Sequence, residues 1–98
     1  MAKYRRAAKI DKNQPDIVKE LRKRGYSVAV GHDDILVGHN GKTYWFEIKE
    51  PETVSKKTGE VRPSEIKDSQ KNLLKSFKGH YKIVWNIEQI LDELEKQL

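Results

Sequence analysis

The sequence predicts a single α/β domain with the element order α-β-β-β-α-β-α, and three observations carry that prediction. Three stretches repeat apolar residues at helical spacing, the segment between the first two alternates as short strands, and Asn40-Gly41 marks a tight hairpin between apolar runs. At 98 residues the chain has room for one core, because domains of this size bury about 60–70% of their unfolded surface and do not divide into two. One domain over residues 1–98 is therefore expected.

The first helix is predicted over about residues 12 to 24, where Ile17, Val18 and Leu21 continue a stripe begun by Ile10, Pro15 sits in the first turn and Gly25 supplies the stop. Gln14 falls on that stripe and needs a partner, which a capping box with Asp11 would supply. Strands are predicted at about 26–30, 34–38 and 43–50, with the last two paired antiparallel because Asn and Gly both tolerate the positive φ of a two-residue turn. "PETVSKKTGEVRPS", residues 51–64, is polar and broken by Pro51, Gly59 and Pro63, so it is expected to be a flexible, structureless loop of functional length. Ser64 is placed to cap a helix over about 65–78 with the apolar stripe Ile66, Leu73, Leu74 and Phe77, and Gln70 lies inside the stripe. "HYKIVW" reads as a fourth strand, on which Tyr81, Ile83 and Trp85 alternate as packing or interface residues. Asn86 with Gln89 then opens a last helix carrying Ile87, Ile90, Leu91, Leu94 and Leu98.

Twenty Lys and Arg against fifteen Asp and Glu give a net charge of +5, the balance of a domain that meets a polyanion. Lys3, Arg5 and Arg6 lie in a basic arm over residues 1–10, and Lys56, Lys57 and Arg62 lie in the long loop; both groups suit phosphate contacts that weaken with salt. The absence of cysteine excludes disulfides and Cys-based zinc sites and makes a reducing cytoplasm the default expectation. No run approaches the roughly 20 apolar residues of a membrane span, and the N-terminus lacks the apolar core of a signal peptide. A soluble protein with no membrane partner is expected.

The chemistry-bearing pattern is in the hairpin. A two-residue turn at 40–41 brings positions near 34–36 opposite positions near 45–47, so Asp34 and Glu47 converge. Glu47 and Lys49 leave one face of the strand about 7 Å apart, and Trp45 shares that face, as a core aromatic or as the wall of a cleft. Two readings of the charges follow: Asp33-Asp34 as a turn with Glu47 and Lys49 as a solvated ion pair of small energy, or carboxylates that hold Mg²⁺ or Mn²⁺ beside an ammonium. The second arrangement suits phosphodiester cleavage, where an attacking water must be activated and charge offset at the phosphate.

In "NQPDIVKELRKRG", "DDILVGHNGKTYWFEIK" and "KDSQ" the sequence resembles the PD-(D/E)XK nuclease superfamily, and within it the small stand-alone, phage-type VRR-NUC nucleases. The resemblance spans about residues 11 to 86. It implies a restriction-endonuclease-like αβββαβ core, with a mixed sheet flanked by helices. It further implies that Asp34, Glu47 and the Ile48 backbone carbonyl bind the metal, that Lys49 is the catalytic lysine, and that Gln70 supports the site from its helix. Gln14 matches a position where relatives often carry a glutamate acting on the metal through water. Two departures stand out: Asp33 replaces the usual proline, and Gln14 is neutral where an acid is common. Small stand-alone relatives resemble Holliday-junction-resolving homodimers, so the resemblance implies branched DNA as substrate, two copies of the chain and a place in the host cytoplasm. A non-catalytic DNA-binding module of the same fold is the alternative.

Overall fold

The computed structural model describes residues 13–96, in which four strands form one mixed sheet flanked by helices. Helix α1 spans Gln14–Lys23, with Pro15 and Asp16 in its first turn and Arg22 and Lys23 in its last, so the fixed proline φ and the charges both suit the helix polarity. Gly25 ends it at φ +96°, a left-handed conformation in which a side chain would be strained. Strands β1 (Ser27–Val30), β2 (Asp34–His39) and β3 (Lys42–Ile48) then form an antiparallel meander. The β2–β3 turn is Asn40-Gly41 with φ of 53° and 77°, the paired positive values expected of a two-residue hairpin.

Helix α2 (Asp68–Ser76) carries the chain across to β4 (His80–Val84), which pairs parallel with β3, and helix α3 (Ile87–Glu95) closes the described fold. The strand order is β1-β2-β3-β4. Ile35, Val37, Tyr44, Phe46, Ile48 and Val84 share one sheet face and bury against Ile17, Val18 and Leu21 of α1 and Ile90 and Leu94 of α3. Asn86 accepts from the Gln89 amide while the Gln89 side chain accepts from the Asn86 amide, so the expected capping box starts α3. Among the described residues, no helix is long and apolar enough to cross a membrane.

Three expectations are corrected. Residues 51–64 are not structureless: two 3-10 turns, Pro51–Thr53 and Pro63–Glu65, flank an antiparallel bridge between Val54 and Val61. Val61 is buried, Gly59 takes φ +75° at the tip, and Ser55 Oγ accepts the amides of Lys57 and Thr58. Two valines seven apart have found each other and anchor the segment. Helix α2 begins at Asp68 rather than 65, because Pro63, Ser64 and Glu65 are spent on the second 3-10 turn, and Lys67 occupies the cap position. The apolar stripe of α2 is also less buried than its spacing implies: Leu74 and Phe77 remain 50% and 44% exposed, and Gln70 is the buried residue of the helix. Phe77, at the C-cap, makes an edge contact with the Trp45 ring at 5.4 Å and otherwise stays open to solvent. Leu98, Asp11, Ile10 and the basic arm with Lys3, Arg5 and Arg6 lie outside the described residues.

Candidate active site

The hairpin register places Asp34 directly opposite Glu47, with Leu36 opposite Trp45 on the same face. This face is the reverse of the core, since Tyr44, Phe46 and Ile48 take the other side. One further bond, Ile48 N–H to Asp33 O at 2.9 Å, holds the start of β2 against the end of β3. Strand β3 ends at Ile48, so Lys49 lies one residue past it, with its N–H on the Val84 carbonyl at 2.9 Å.

The N-terminus of α1 fastens this end of the sheet. Asn13 Nδ2 donates to the carbonyls of Lys49 and Trp85, each at 3.2 Å and spanning 36 and 72 residues of sequence. Gln14 is buried and its Nε2 donates to the Asp34 carbonyl at 3.2 Å. The partner that this inward glutamine requires is thus the backbone of a site residue, and its hold on the site runs through Asp34. Asn13 was not singled out by the sequence, because nothing local announces a side chain whose partners are so distant.

The carboxylates differ in environment. Asp34 Oδ2 accepts the Trp45 indole N–H at 2.8 Å, so the tryptophan on this face orients a carboxylate as well as packing. Glu47 is 6% exposed, and its Oε2 is buried without a hydrogen-bond partner. Burial pushes its carboxyl up to about 7; the Lys49 ammonium opposes this, Asp34 and Asp33 add to it, and Lys67 opposes it weakly. Gln70, also buried, accepts the Lys67 amide on Oε1 at 3.0 Å and so caps its own helix beside the site. Tyr81, opposite Trp45 on β4, has a buried hydroxyl with no partner. Burial and then the charges of Glu47 and Asp34 push its phenol up to about 12, so it keeps its proton.

Whether these residues fit a cation is decided by the donor set. Among the described residues no group of three or more His, Asp, Glu or Cys is placed so that it could hold a metal ion. Two opposed carboxylates, one with an orphaned buried oxygen, do fit a small hard cation that keeps several waters, the habit of Mg²⁺ and Mn²⁺. Of the basic residues expected on phosphates, Lys56 and Lys57 stand exposed at the loop tip, and Arg62 is engaged at 3.4 Å by Glu65 in an exposed pair of small energy.

Gly31 is a site residue that the sequence hid. A Cβ there would collide with Asp34 Oδ1, while the Gly31 amide donates to the Asp34 carbonyl at 2.8 Å. Gly31→Ala should therefore displace the Asp34 carboxylate at small cost to the fold, because the colliding atom is a side-chain end that can swing away. The expected result is a melting temperature within a few degrees of the parent, about 1 kcal/mol or less, with the Trp45 indole fluorescence changed because its carboxylate acceptor has moved.

No family model, no curated protein and no solved structure matches the chain. A functional reading therefore rests on the geometry of the two carboxylates, the lysine beside them and the surface around them.

Proposed function

We propose that the protein is a divalent-metal-dependent DNA endonuclease with a restriction-endonuclease-like core, and that Asp34, Glu47 and Lys49 do its chemistry. The observation that carries the reading is Glu47: a carboxylate taken out of water, left with an unpartnered oxygen, directly opposite a second carboxylate and two residues from a lysine. Such an arrangement is costly to a fold that does not use it. Asp34 and Glu47 would hold Mg²⁺ or Mn²⁺, with the Ile48 carbonyl as a further ligand, and the ion would supply charge neutralisation at the phosphate and a more acidic water.

The chain's own residues do the rest. Lys49, its backbone pinned by Val84 and Asn13, presents an ammonium to the charge that develops on the non-bridging phosphate oxygens and orients the attacking water. Trp45 and Gly31 set the direction of Asp34, and Gln14 and Asn13 set the separation of the backbones that carry Asp34 and Lys49. Gln70 fixes the start of α2 next to the site. Lys56 and Lys57 stand exposed on an anchored loop and are the phosphate contacts we assign. With a net charge of +5, DNA is the polyanion we assign, and four-way junctions cut by a homodimer are the preferred substrate, since two strands require two sites related by a twofold axis.

Labelled four-way junction, flap and linear duplex DNA incubated with the protein in Mg²⁺ and then Mn²⁺ test the reading. Junction cleavage at two related positions is expected, at a rate well above that on duplex. Equal cutting of duplex would remove the junction preference, and binding without cleavage of any substrate would leave the non-catalytic DNA-binding module in its place.

A further inference from the structure

The sheet face that carries Asp34 and Glu47 is covered unevenly. Helix α2 lies over its β4 end, where Phe77 meets the Trp45 ring edge to face at 5.4 Å. Beyond Trp45 the face is open: Leu36 stands opposite Trp45 and Ala29 opposite Leu36, a row across three strands in which Leu36 is 43% exposed and Ala29 is exposed too. These residues, with Gly31 and Asp34, line a groove of about 430 Å³, within the size range of small-ligand sites. Ala29 and Gly31 have no side chain long enough to fill it. Among the described residues that line it, only Asp34 is charged. The groove therefore suits an uncharged, largely apolar body that lies next to the carboxylates.

Position selects the occupant. Leu36 follows Asp34 by two residues on one strand, so their side chains leave the same face about 7 Å apart, a reach comparable to that from a phosphate to the base of its own nucleotide. A second protein seated in the groove would close the approach to Asp34, whereas a nucleic acid with its phosphate at Asp34 lays its nucleoside within reach of Leu36. We propose that the groove seats the nucleobase next to the scissile phosphate, with Leu36 and Trp45 as its apolar walls. The proposal rests on the nuclease reading for the phosphate at Asp34. Contact with a base face tolerates any sequence, since every base presents one. A base at a branch point, where stacking is interrupted, is available at lower cost than one inside a duplex. Leu36 thereby favours branched over linear DNA.

Leu36→Ala and abasic DNA together form a cycle that isolates this contact. Labelled four-way junctions are made intact and with a tetrahydrofuran abasic residue at each nucleotide flanking the branch point in turn. Affinity is measured in Ca²⁺ and single-turnover cleavage in Mg²⁺. On the intact junction Leu36→Ala should lose about fivefold in affinity, in rate or in both, the scale of one half-exposed leucine newly covered. At one abasic position the parent should lose a similar factor, and the variant should then fall no more than about twofold below the parent. A variant within about twofold of the parent on the intact junction, or losses that multiply at every abasic position, would overturn the proposal; cleavage by the parent would still leave the nuclease reading standing. Should the parent bind without cutting while the cycle shows coupling, the nuclease reading fails and the base contact survives. Sedimentation without DNA covers the other occupant: if the parent is a homodimer that Leu36→Ala loses, the groove belongs to a second copy and the proposal is wrong. A parent that binds no DNA overturns both readings.

Discussion

Glu47→Gln should lower the single-turnover rate of DNA cleavage by about a thousandfold or more, while binding DNA as well as the parent or better. The amide preserves the shape of the buried side chain but cannot bring its negative charge to a cation, and it removes a repulsion toward phosphate. The same variant makes an opposite prediction for stability. Burial raises the Glu47 carboxyl from its ordinary 4.5 to about 7, so between those values the folded protein holds a proton that the unfolded chain has released. Stability contributed by this group is then greatest below pH 4.5, falls as pH rises across that window, and is lowest above about 7. Glutamine is neutral throughout. In metal-free buffer Glu47→Gln should therefore match the parent near pH 4 and exceed it at pH 8, by about 1–2 kcal/mol after allowing for residual solvent screening. Adding Mg²⁺ or Mn²⁺ at pH 8 should raise the melting temperature of the parent and leave that of the variant unmoved. Metal-free melting curves that differ equally at pH 4 and pH 8 would remove the strain we assign to Glu47. Retained cleavage would place the active site elsewhere.

Such a variant separates what the site costs the fold from what it does, and the same separation explains which features were legible in the sequence. The Asp34–Glu47 pairing was readable because a two-residue Asn-Gly turn fixes register, and register fixes every opposed pair along β2 and β3. Period two puts Tyr44, Phe46 and Ile48 on one face and Trp45 and Glu47 on the other, and the packing of the helices makes the first of these the core. Gln14 and Gln70 were marked as inward by helical spacing, and both are buried. Their partners were not readable. Gln14 bonds to a backbone carbonyl twenty residues away and Gln70 to its own helix start, so position on a stripe revealed the need for a partner without naming it. Gly31 escaped because a close approach by Asp34 leaves no mark on its neighbours in sequence. The 51–64 segment misled through its composition: prolines and a glycine that read as disorder are the turn residues of a small anchored excursion, closed by Val54 and Val61. Tyr81 was marked as a packing or interface residue with no face assigned, because which residues β3 brings beside it depends on the β3–β4 register.

Phe46→Ala should lower stability by about 3–5 kcal/mol, whereas Leu36→Ala, one position off its cross-strand neighbour, should cost under about 1 kcal/mol. Both are large apolar residues near the middle of the hairpin, and sequence composition alone does not separate them. The sheet does. Phe46 is 1% exposed, stacked at 6.3 Å on Tyr44 and enclosed by the α1 and α3 residues of the core. Its removal strands a cavity that neighbours held by helix packing on one side and strand hydrogen bonds on the other cannot close. Leu36 points to the opposite face and is 43% exposed, beside Trp45 and in an open groove that Asp34 also lines. Small domains have about 5–15 kcal/mol of total stability, and at roughly 4–8 °C per kcal/mol for this size Phe46→Ala should lose tens of degrees in melting temperature. Leu36→Ala should move by a few degrees and leave cooperative unfolding intact. Comparable losses in the two variants would mean that the face bearing Glu47 is packed as tightly as the core, and a carboxylate pair so enclosed would have no route by which DNA could reach it.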